Sequence, residues 1–199
     1  MAERWVLASS NAGKLAELAA LLADLDIEVV SQSEFDVPDA IEDGVAFVDN
    51  ALIKARHAAA ATGLPAIADD SGLAVDYLGG APGVHSARYA GTHGDDAANN
   101  AKLLAALADV SVPARGAAFH CCLAATRAVD DPVPVIAHGV WRGRILEAPR
   151  GDGGFGYDPL FWVAAENASA AELTAHRKNA ISHRGRAMAK LIEQLRERR

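Results

Sequence analysis

The first thirty residues alternate between apolar strand-like runs and one amphipathic helix. An apolar run at residues 5–8 ends in a polar turn, and leucines at helical spacing follow over residues 15–25. A second apolar run at residues 27–30 completes a β-α-β unit. Because such a unit packs its helix against a sheet, this opening predicts an α/β fold.

The rest of the chain continues this alternation, with short linkers. Residues 47–62 predict an alanine-rich helix closed by Gly63, and residues 65–68 predict a short buried strand that ends at Asp69-Asp70-Ser71-Gly72. The further predicted elements are a helix over residues 97–107, a β-hairpin from residues 117–128 and 133–145, a strand over residues 159–163, and a last helix capped by Ser182. We expect one domain over residues 1–199, with two lobes around one cleft.

Charge and composition limit what the chain can bind. A formal net charge of −7 argues against binding of a nucleic acid polymer or an anionic membrane, although a metal ion and a few basic side chains can still neutralise a nucleotide locally. We expect no membrane helix, since no apolar run reaches about 18 residues. We also expect no signal peptide, and hence a cytoplasmic location. Cys121 and Cys122 are adjacent, and we expect both to be buried, inert thiols.

The polar turn before the first helix is a candidate phosphate-binding site. Its residues are Ser9, Ser10, Asn11, Ala12, Gly13 and Lys14. A helix N-terminus directs free N–H groups and a positive partial charge at an anion, and Lys14 adds a cation. The turn is not a P-loop, since Ala8 and Leu15 replace the glycine and the hydroxyl residue of that motif. A plain strand-to-helix turn with a helix cap is the alternative.

Three acidic residues, Glu42, Asp69 and Asp70, are candidate ligands of Mg²⁺. Two adjacent carboxylates after an apolar strand repel each other unless a cation compensates, and hard oxygen ligands suit magnesium. Ser71 offers a hydroxyl group beside them. The alternative is a solvated Asp-Ser-Gly turn, which is common in surface loops.

A glycine-rich segment at residues 151–156 matches G-x-G-x-x-G but does not predict a dinucleotide site. That fingerprint needs a helix directly afterwards, and Tyr157-Asp158-Pro159 prevents one. The glycines still indicate unusual backbone angles or close approach to a ligand. Phe155 and Tyr157 are candidates for stacking on a base, and Asp158 for meeting its polar edge. A flexible hairpin loop is the alternative.

Two basic residues, His183 and Arg184, open the last predicted helix. Cations are electrostatically unfavourable at a helix N-terminus, so this placement indicates a nearby anion or base carbonyl. Lys178, slightly upstream, is a candidate for the same cleft.

Together these segments resemble the Ham1/RdgB family of inosine and xanthosine triphosphate pyrophosphatases nearly end to end. The resemblance rests on blocks at residues 9–14, 42–44 with 47–51, 68–73, 82–89, 154–159 and 182–184. Each block is short, but their order along one chain is specific. Asp49 stands where the family usually has Glu, and Ser9 where Thr is common; both changes keep the chemistry.

The resemblance implies a mixed, twisted central sheet with helical lobes flanking a nucleotide-binding cleft, and a homodimer. It implies hydrolysis of ITP, dITP and XTP between the α- and β-phosphates, giving monophosphate and pyrophosphate. Asp70 would be the catalytic base, and Glu42 and Asp70 would hold Mg²⁺ with Asp69 close by. The substrate-binding residues that it implies are Ser9, Ser10, Asn11, Ala12, Gly13, Lys14, Ser71, Phe155, Gly156, Tyr157, Asp158, Lys178, His183 and Arg184.

Two other functions compete with this one. A Maf-like nucleotide pyrophosphatase has a related architecture and prefers other bases, but the blocks at residues 154–159 and 182–184 argue against it. A non-catalytic nucleotide sensor is the second alternative, and the presence of Glu42, Asp69 and Asp70 together argues against a dead enzyme.

Overall fold

The computed structural model describes residues 2–198, and these form a mixed α/β structure. The strands are β1 (Glu3–Leu7), β2 (Ile27–Ser31), β3 (Ala66–Val75), β4 (Gly116–Thr126), β5 (Val135–Ile145), β6 (Phe161–Val163) and β7 (Ala168–Ser169). The α-helices are α1 (Ala12–Leu22), α2 (Phe47–Thr62), α3 (Asp96–Ala106), α4 (Ala175–Ile181) and α5 (His183–Glu197). The predicted α/β class is confirmed.

The strands form one seven-stranded sheet in the order β2-β1-β3-β4-β5-β6-β7. Strand β1 pairs in parallel with β2 and with β3, so that Val6 lies opposite both Val30 and Ala66. Strand β6 is antiparallel to β5 and to β7. Helices α1 and α2 return the chain between the parallel strands, as parallel pairing requires, whereas a short turn joins β4 to β5 and another joins β6 to β7.

Strand β3 differs from its prediction. The sequence predicted a strand that ended before Asp69, but β3 continues to Val75. The apolar residues Leu73 and Val75 are fully buried, and this burial extends the strand through the two aspartates. Since successive residues of a strand point to opposite faces, Asp69 and Asp70 are directed to different partners.

Near the end of the chain, helix α4 was not predicted and strand β6 is shorter than its prediction. Helix α4 has seven residues and no buried side chain, so it carries no apolar periodicity for a sequence pattern to detect. The predicted strand at residues 159–163 begins only at Phe161, because residues 158–160 form a 3₁₀ turn containing Pro159.

The chain divides into two compact units. The first consists of the residues up to Asp70, Cys121–Gly139, and the residues from Ala187 onwards. One of its core clusters is built largely from alanine, including Ala51, Ala55 and Ala58 on one face of α2 and Ala68 on β3. Such small side chains let a helix backbone approach closely, as close packing of an interior requires. Both cysteines are buried in this unit, as predicted.

The second unit consists of Ser71–His120 and Val140–Arg186. Its core contains a tight aromatic group, in which the Phe119 ring centroid lies 4.6 Å from that of Phe161, and Trp141 lies 5.1 Å from Phe161. Within residues 2–198, no helix is both long and apolar enough to cross a membrane. The expectation of a single domain with two lobes around a cleft remains a prediction.

A buried arginine closes the C-terminal end of α3. Arg115 is 3% exposed, and its guanidinium donates to the carbonyl groups of Leu107 at 2.7 Å, Val110 at 2.9 Å and Leu146 at 3.2 Å. The side chain thus ties the residue that caps the end of α3 to the segment that follows it and to Leu146.

We expect Arg115→Met to lower the free energy of unfolding by about 2–4 kcal/mol, because it removes three charge-assisted hydrogen bonds from a buried position. The measurement is urea denaturation followed by circular dichroism. Arg142→Met is the matched control, since Arg142 is exposed, and it should change the free energy by less than about 0.5 kcal/mol. Equal losses in the two variants would contradict a special role of Arg115.

Candidate active site

The predicted phosphate turn is the capped start of α1. The Asn11 side chain accepts a hydrogen bond from the backbone N–H of Lys14 at 3.0 Å, and the Ser9 hydroxyl accepts one from the N–H of Asn11 at 3.2 Å. The following Ala12 and Gly13 are exposed, in a turn where helix N–H groups have no carbonyl partner within the helix. One turn can therefore both cap the helix and offer N–H groups to an anion. Phosphate binding at this turn stays a prediction.

Lys14 joins this turn to strand β3. Its ammonium contacts both carboxylate oxygens of Asp69, at 2.9 and 2.8 Å. Asp69 is only 7% exposed, so the ion pair is shielded from water on the carboxylate side. The adjacent Asp70 points away to a different cation.

That second cation is Lys54, which sequence reasoning missed. Its ammonium lies 3.1 Å from Glu42 Oε2 and 3.1 Å from Asp70 Oδ1. Asn50, one helical turn earlier, donates to Asp70 Oδ2 at 3.2 Å and accepts from the N–H of Gly44 at 2.9 Å. Helix α2 therefore holds both carboxylates and fixes the loop that carries Glu42.

Burial and charge set the protonation of this group. Burial raises the pKa of Asp70 above its usual value, although Lys54 and the hydrogen bond from Asn50 act in the opposite direction. Burial alone would lower the pKa of Lys54, but Asp70 and Glu42 outweigh it and raise that pKa. Asp70 is thus a stronger base than an exposed aspartate and lies beside a firmly protonated lysine.

The thiol of Cys122 is not part of this chemistry. Burial, with the negative charges of Asp70 and Asp49, raises its pKa to about 11. A thiol with such a pKa is neutral near pH 7 and is neither a nucleophile nor a metal ligand. Asp49 itself accepts a hydrogen bond from the N–H of Ala46 at 3.0 Å, so it stabilises the start of α2.

The donor atoms of Glu42 and Asp70 fit Mg²⁺. Among residues 2–198, no three His, Cys, Asp or Glu side chains gather into a group that could hold a metal. Two carboxylates do converge on one cation, the ammonium of Lys54, and Mg²⁺ commonly takes one or two carboxylates together with water and phosphate oxygens. The full predicted set with Asp69 stays a prediction, because Asp69 is paired with Lys14.

Asn50 and Lys54 carry a signal that the sequence does contain. They are four residues apart in a helix whose other buried residues are the alanines 51, 55, 58 and 59. A polar pair at that spacing on an otherwise buried face needs partners inside the protein. The pattern indicates buried polar contacts without identifying Asp70 or Glu42 as the partners.

In the second unit, the residues 155–158 form a tightly bonded loop. Tyr157 is buried, and its hydroxyl donates to the carbonyl of Ser86 at 2.9 Å, so its ring supports the loop and offers no open face. Asp158 is also buried, accepts from the N–H of Phe155 at 2.8 Å and forms an ion pair with Lys178. Phe155 is 75% exposed, so its ring is the one of the two aromatic candidates that a base can reach.

The basic residues predicted near the base are placed differently from one another. The ammonium of Lys178 lies 4.6 Å from the centroid of the Phe155 ring. The half-buried His183 ring stacks on Phe119, with centroids 4.9 Å apart and planes 13° apart.

Ser182 caps α5 as predicted, since its hydroxyl accepts from the N–H of Gly185 at 3.3 Å. Arg184 is half-buried and Ser71 is exposed.

A basic cavity of the second unit is separate from these candidates. It has a volume of about 600 Å³ and contains none of the predicted site residues. Its lining includes Arg142, Arg144, Arg177 and Arg186.

Comparison with known protein families identifies relatives of this chain. Residues 5–194 match the model of the Ham1 family. The chain belongs to the Ham1 family. It is 57% identical over 194 residues to a dITP/XTP pyrophosphatase of Vibrio cholerae, a match covering 98% of this chain and 97% of that protein. It is 55% identical over 194 residues to a dITP/XTP pyrophosphatase of Escherichia coli O157:H7, covering 98% of each.

Solved structures of Ham1 proteins share the fold. A Ham1 protein from Coxiella burnetii superposes with a TM-score of 0.94 at 53% identity, covering 98% of this chain and 99% of that one. A nucleoside-triphosphatase described as a dITP/XTP pyrophosphatase from Mycobacterium abscessus gives 0.83 at 47% identity, covering 96% and 99%. The predicted family and its mixed, twisted sheet are confirmed.

We expect Lys54→Met to destabilise the Ham1 fold most at high pH. Without Lys54, the pKa of Asp70 rises further, since a cation that lowers it is lost. A raised folded-state pKa favours folding below the unfolded pKa, and this contribution is lost as the pH rises through the folded value. The free energy of unfolding should fall by about 2–4 kcal/mol at pH 8, and the deficit should shrink toward pH 5.

Urea denaturation of both proteins at pH 5 and pH 8 measures this difference. Lys190→Met is the matched control, since exposed Lys190 only donates to the carbonyl of His138. A deficit for Lys54→Met that is the same at both pH values would show that the ion pair with Asp70 does not stabilise the fold.

Proposed function

We infer that this Ham1 protein hydrolyses non-canonical purine nucleoside triphosphates such as ITP, dITP and XTP to the monophosphate and pyrophosphate. The observation that carries this proposal is the convergence of Glu42 and Asp70 on one partly buried cation, which is a site chemically suited to a metal-bound triphosphate. Relatives that are 55–57% identical over nearly the whole chain are named dITP/XTP pyrophosphatases, which supports this substrate class.

In the proposed reaction, Asp70 takes a proton from the attacking water. Its raised pKa makes it a better proton acceptor at neutral pH than an exposed aspartate. The water oxygen forms a bond to the α-phosphorus, the bond from that phosphorus to the bridging oxygen breaks, and pyrophosphate leaves with that oxygen. Lys54 and Asn50 orient the Asp70 carboxylate by hydrogen bonds to its two oxygens.

Glu42 and Asp70 would hold Mg²⁺, with Asp69 close by in sequence. When bound, Mg²⁺ supplies charge neutralisation on the phosphate oxygens and on the departing pyrophosphate. The turn from Ser9 to Lys14 would take phosphate oxygens through its N–H groups, and the Lys14 ammonium would support them. Ser71 and Lys178 are proposed as further contacts to the substrate.

The base is proposed to meet the second unit. Phe155 would stack on the purine, while the segment 156–158 with His183 and Arg184 would read its edge. Hypoxanthine presents an O6 acceptor and an N1–H donor, whereas adenine presents the reverse pair. N–H donors directed at O6 would therefore stay unpaired with ATP, a mismatch that gives strong discrimination.

Two further expectations belong to this proposal, the homodimer and the cytoplasmic location, and both remain predictions. A Maf-like base preference is disfavoured by the match to the Ham1 family over residues 5–194. A nucleotide sensor without catalysis is the remaining alternative, and a direct assay of pyrophosphate release separates it from the enzyme.

The proposal predicts equal amounts of monophosphate and pyrophosphate from ITP, measured by phosphorus NMR. The value of kcat/KM for ITP, dITP and XTP should exceed that for ATP by about a hundredfold, since two unpaired polar groups cost about 1–3 kcal/mol each. Orthophosphate with a diphosphate as the first products would refute the reaction class. Equal kcat/KM for ITP and ATP would refute the assignment of the base-reading residues.

Asp70→Asn should lower kcat by about a thousandfold or more while the protein stays folded, because it removes a negative charge and a proton acceptor with little change of shape. Chelation of divalent ions should abolish turnover of the unmodified protein, and Mg²⁺ should restore it. Asp131→Asn is the matched control, since Asp131 bonds only within the exposed turn after β4. Near-normal kcat in Asp70→Asn would exclude Asp70 as the base.

A further inference from the structure

Two residues of α3 hold the glycine-rich loop by its backbone. The N–H of Gly156 donates to Asp96 Oδ2 at 2.6 Å, and the carbonyl of Gly156 accepts from Asn100 Nδ2 at 2.8 Å. Asp96 and Asn100 are four residues apart and so lie on the same side of the helix, one turn above the other. The backbone N–H and the carbonyl of Gly156 are thus both hydrogen-bonded to side chains of α3.

The loop needs such external contacts because of its composition. Gly154 and Gly156 adopt left-handed backbone angles, with φ of 74° and 60°. Glycine loses more conformational entropy than any other residue when it is fixed, so a loop with several glycines does not keep one conformation by local preference. Asp158 restrains the backbone at Phe155, and the contacts from α3 add a restraint at Gly156 that no side chain of the loop supplies.

The side chain that this loop presents has little packing of its own. Phe155 is 75% exposed, and its ring contacts the ammonium of Lys178 at 4.6 Å from the centroid. An exposed ring is not held by a surrounding core, so its position depends on the backbone on either side of it. Gly156 directly follows Phe155, and fixing the Gly156 backbone therefore limits where the ring can lie.

The hydrogen bond to Gly156 orients the Asn100 amide in a way that leaves the amide oxygen without a partner. Its nitrogen donates to the carbonyl groups of both Gly156 and Asp96, while its buried oxygen has no hydrogen-bond partner in the described structure. A buried polar atom without a partner costs free energy. The helix thus retains a locally unfavourable group that serves the loop.

We propose that Asp96 and Asn100 are positioning residues for base recognition, which act by fixing the Gly156 backbone so that the Phe155 ring is ready to stack on a purine. A surface that is fixed before binding loses less entropy when the ligand arrives, and this gain appears as affinity. The proposal rests on the proposed function, because stacking by Phe155 is part of that function.

The test compares Asp96→Ala and Asn100→Ala with a matched control on the same helix. Each variant should raise KM for ITP about tenfold with less than a twofold change in kcat, because uniform binding is lost. Inhibition by inorganic tripolyphosphate, which has no base, should be unchanged. Asp96→Asn should behave like the unmodified protein, since its amide oxygen can still accept from Gly156.

Asp95→Ala is the control for helix stability. The Asp95 side chain caps α3 by accepting from the N–H of Ala98 at 3.0 Å and makes no bond to Gly156. It should lower Tm and leave KM for ITP unchanged. In a Phe155→Ala background, Asp96→Ala should raise KM no further, since the ring through which it acts is gone.

Three results would overturn the proposal. The first is an unchanged KM for ITP in both alanine variants. The second is a rise in KM for Asp95→Ala as large as that for Asp96→Ala. The third is an effect of Asp96→Ala on KM that persists without the Phe155 ring. If the unmodified protein releases no pyrophosphate from any triphosphate, the proposed function fails. The positioning role is then judged by calorimetric Kd for ITP, where tenfold weakening supports it and no change overturns it.

Discussion

The ammonium of Lys54 between Glu42 and Asp70 is the interaction on which the charged group of the first unit depends. Lys54 and Asp70 are largely withdrawn from water, so each would be costly to bury in its charged form without the other, while Glu42 stays partly exposed. Asn50 donates a hydrogen bond to Asp70 and accepts one from the N–H of Gly44, in the loop that carries Glu42. Removal of Lys54 would leave both carboxylates without their shared cation.

This arrangement requires that α2 lie within one side-chain length of β3. The alanine face of α2 makes that approach possible, because Ala51, Ala55 and Ala58 are fully buried and fill little volume. Larger side chains at these positions would move the helix away and separate Lys54 from Asp70. The low aromatic content of this unit is therefore connected to the geometry of its charged group.

The second unit differs in that it carries an exposed aromatic ring, that of Phe155, on a restrained loop. Its aromatic core holds Tyr157 inside, while the neighbouring Phe155 points outward from a loop that bonds hold at several points. The first unit thus depends on charge compensation and the second on restraint of the backbone. Membership of the Ham1 family covers both, since the match extends over residues 5–194.

The sequence by itself determined the local features of this protein. Asn11, Gly63 and Ser182 mark helix boundaries by short-range rules of capping, and these rules hold wherever the helix packs. The order of short motifs also identified the family. Only the tertiary structure decided that Asp69 meets Lys14 while Asp70 meets Lys54, 55 and 16 residues away along the chain. Periodicity and propensity describe neighbours in sequence, whereas the choice of ion-pair partner depends on which faces the sheet and helices bring together.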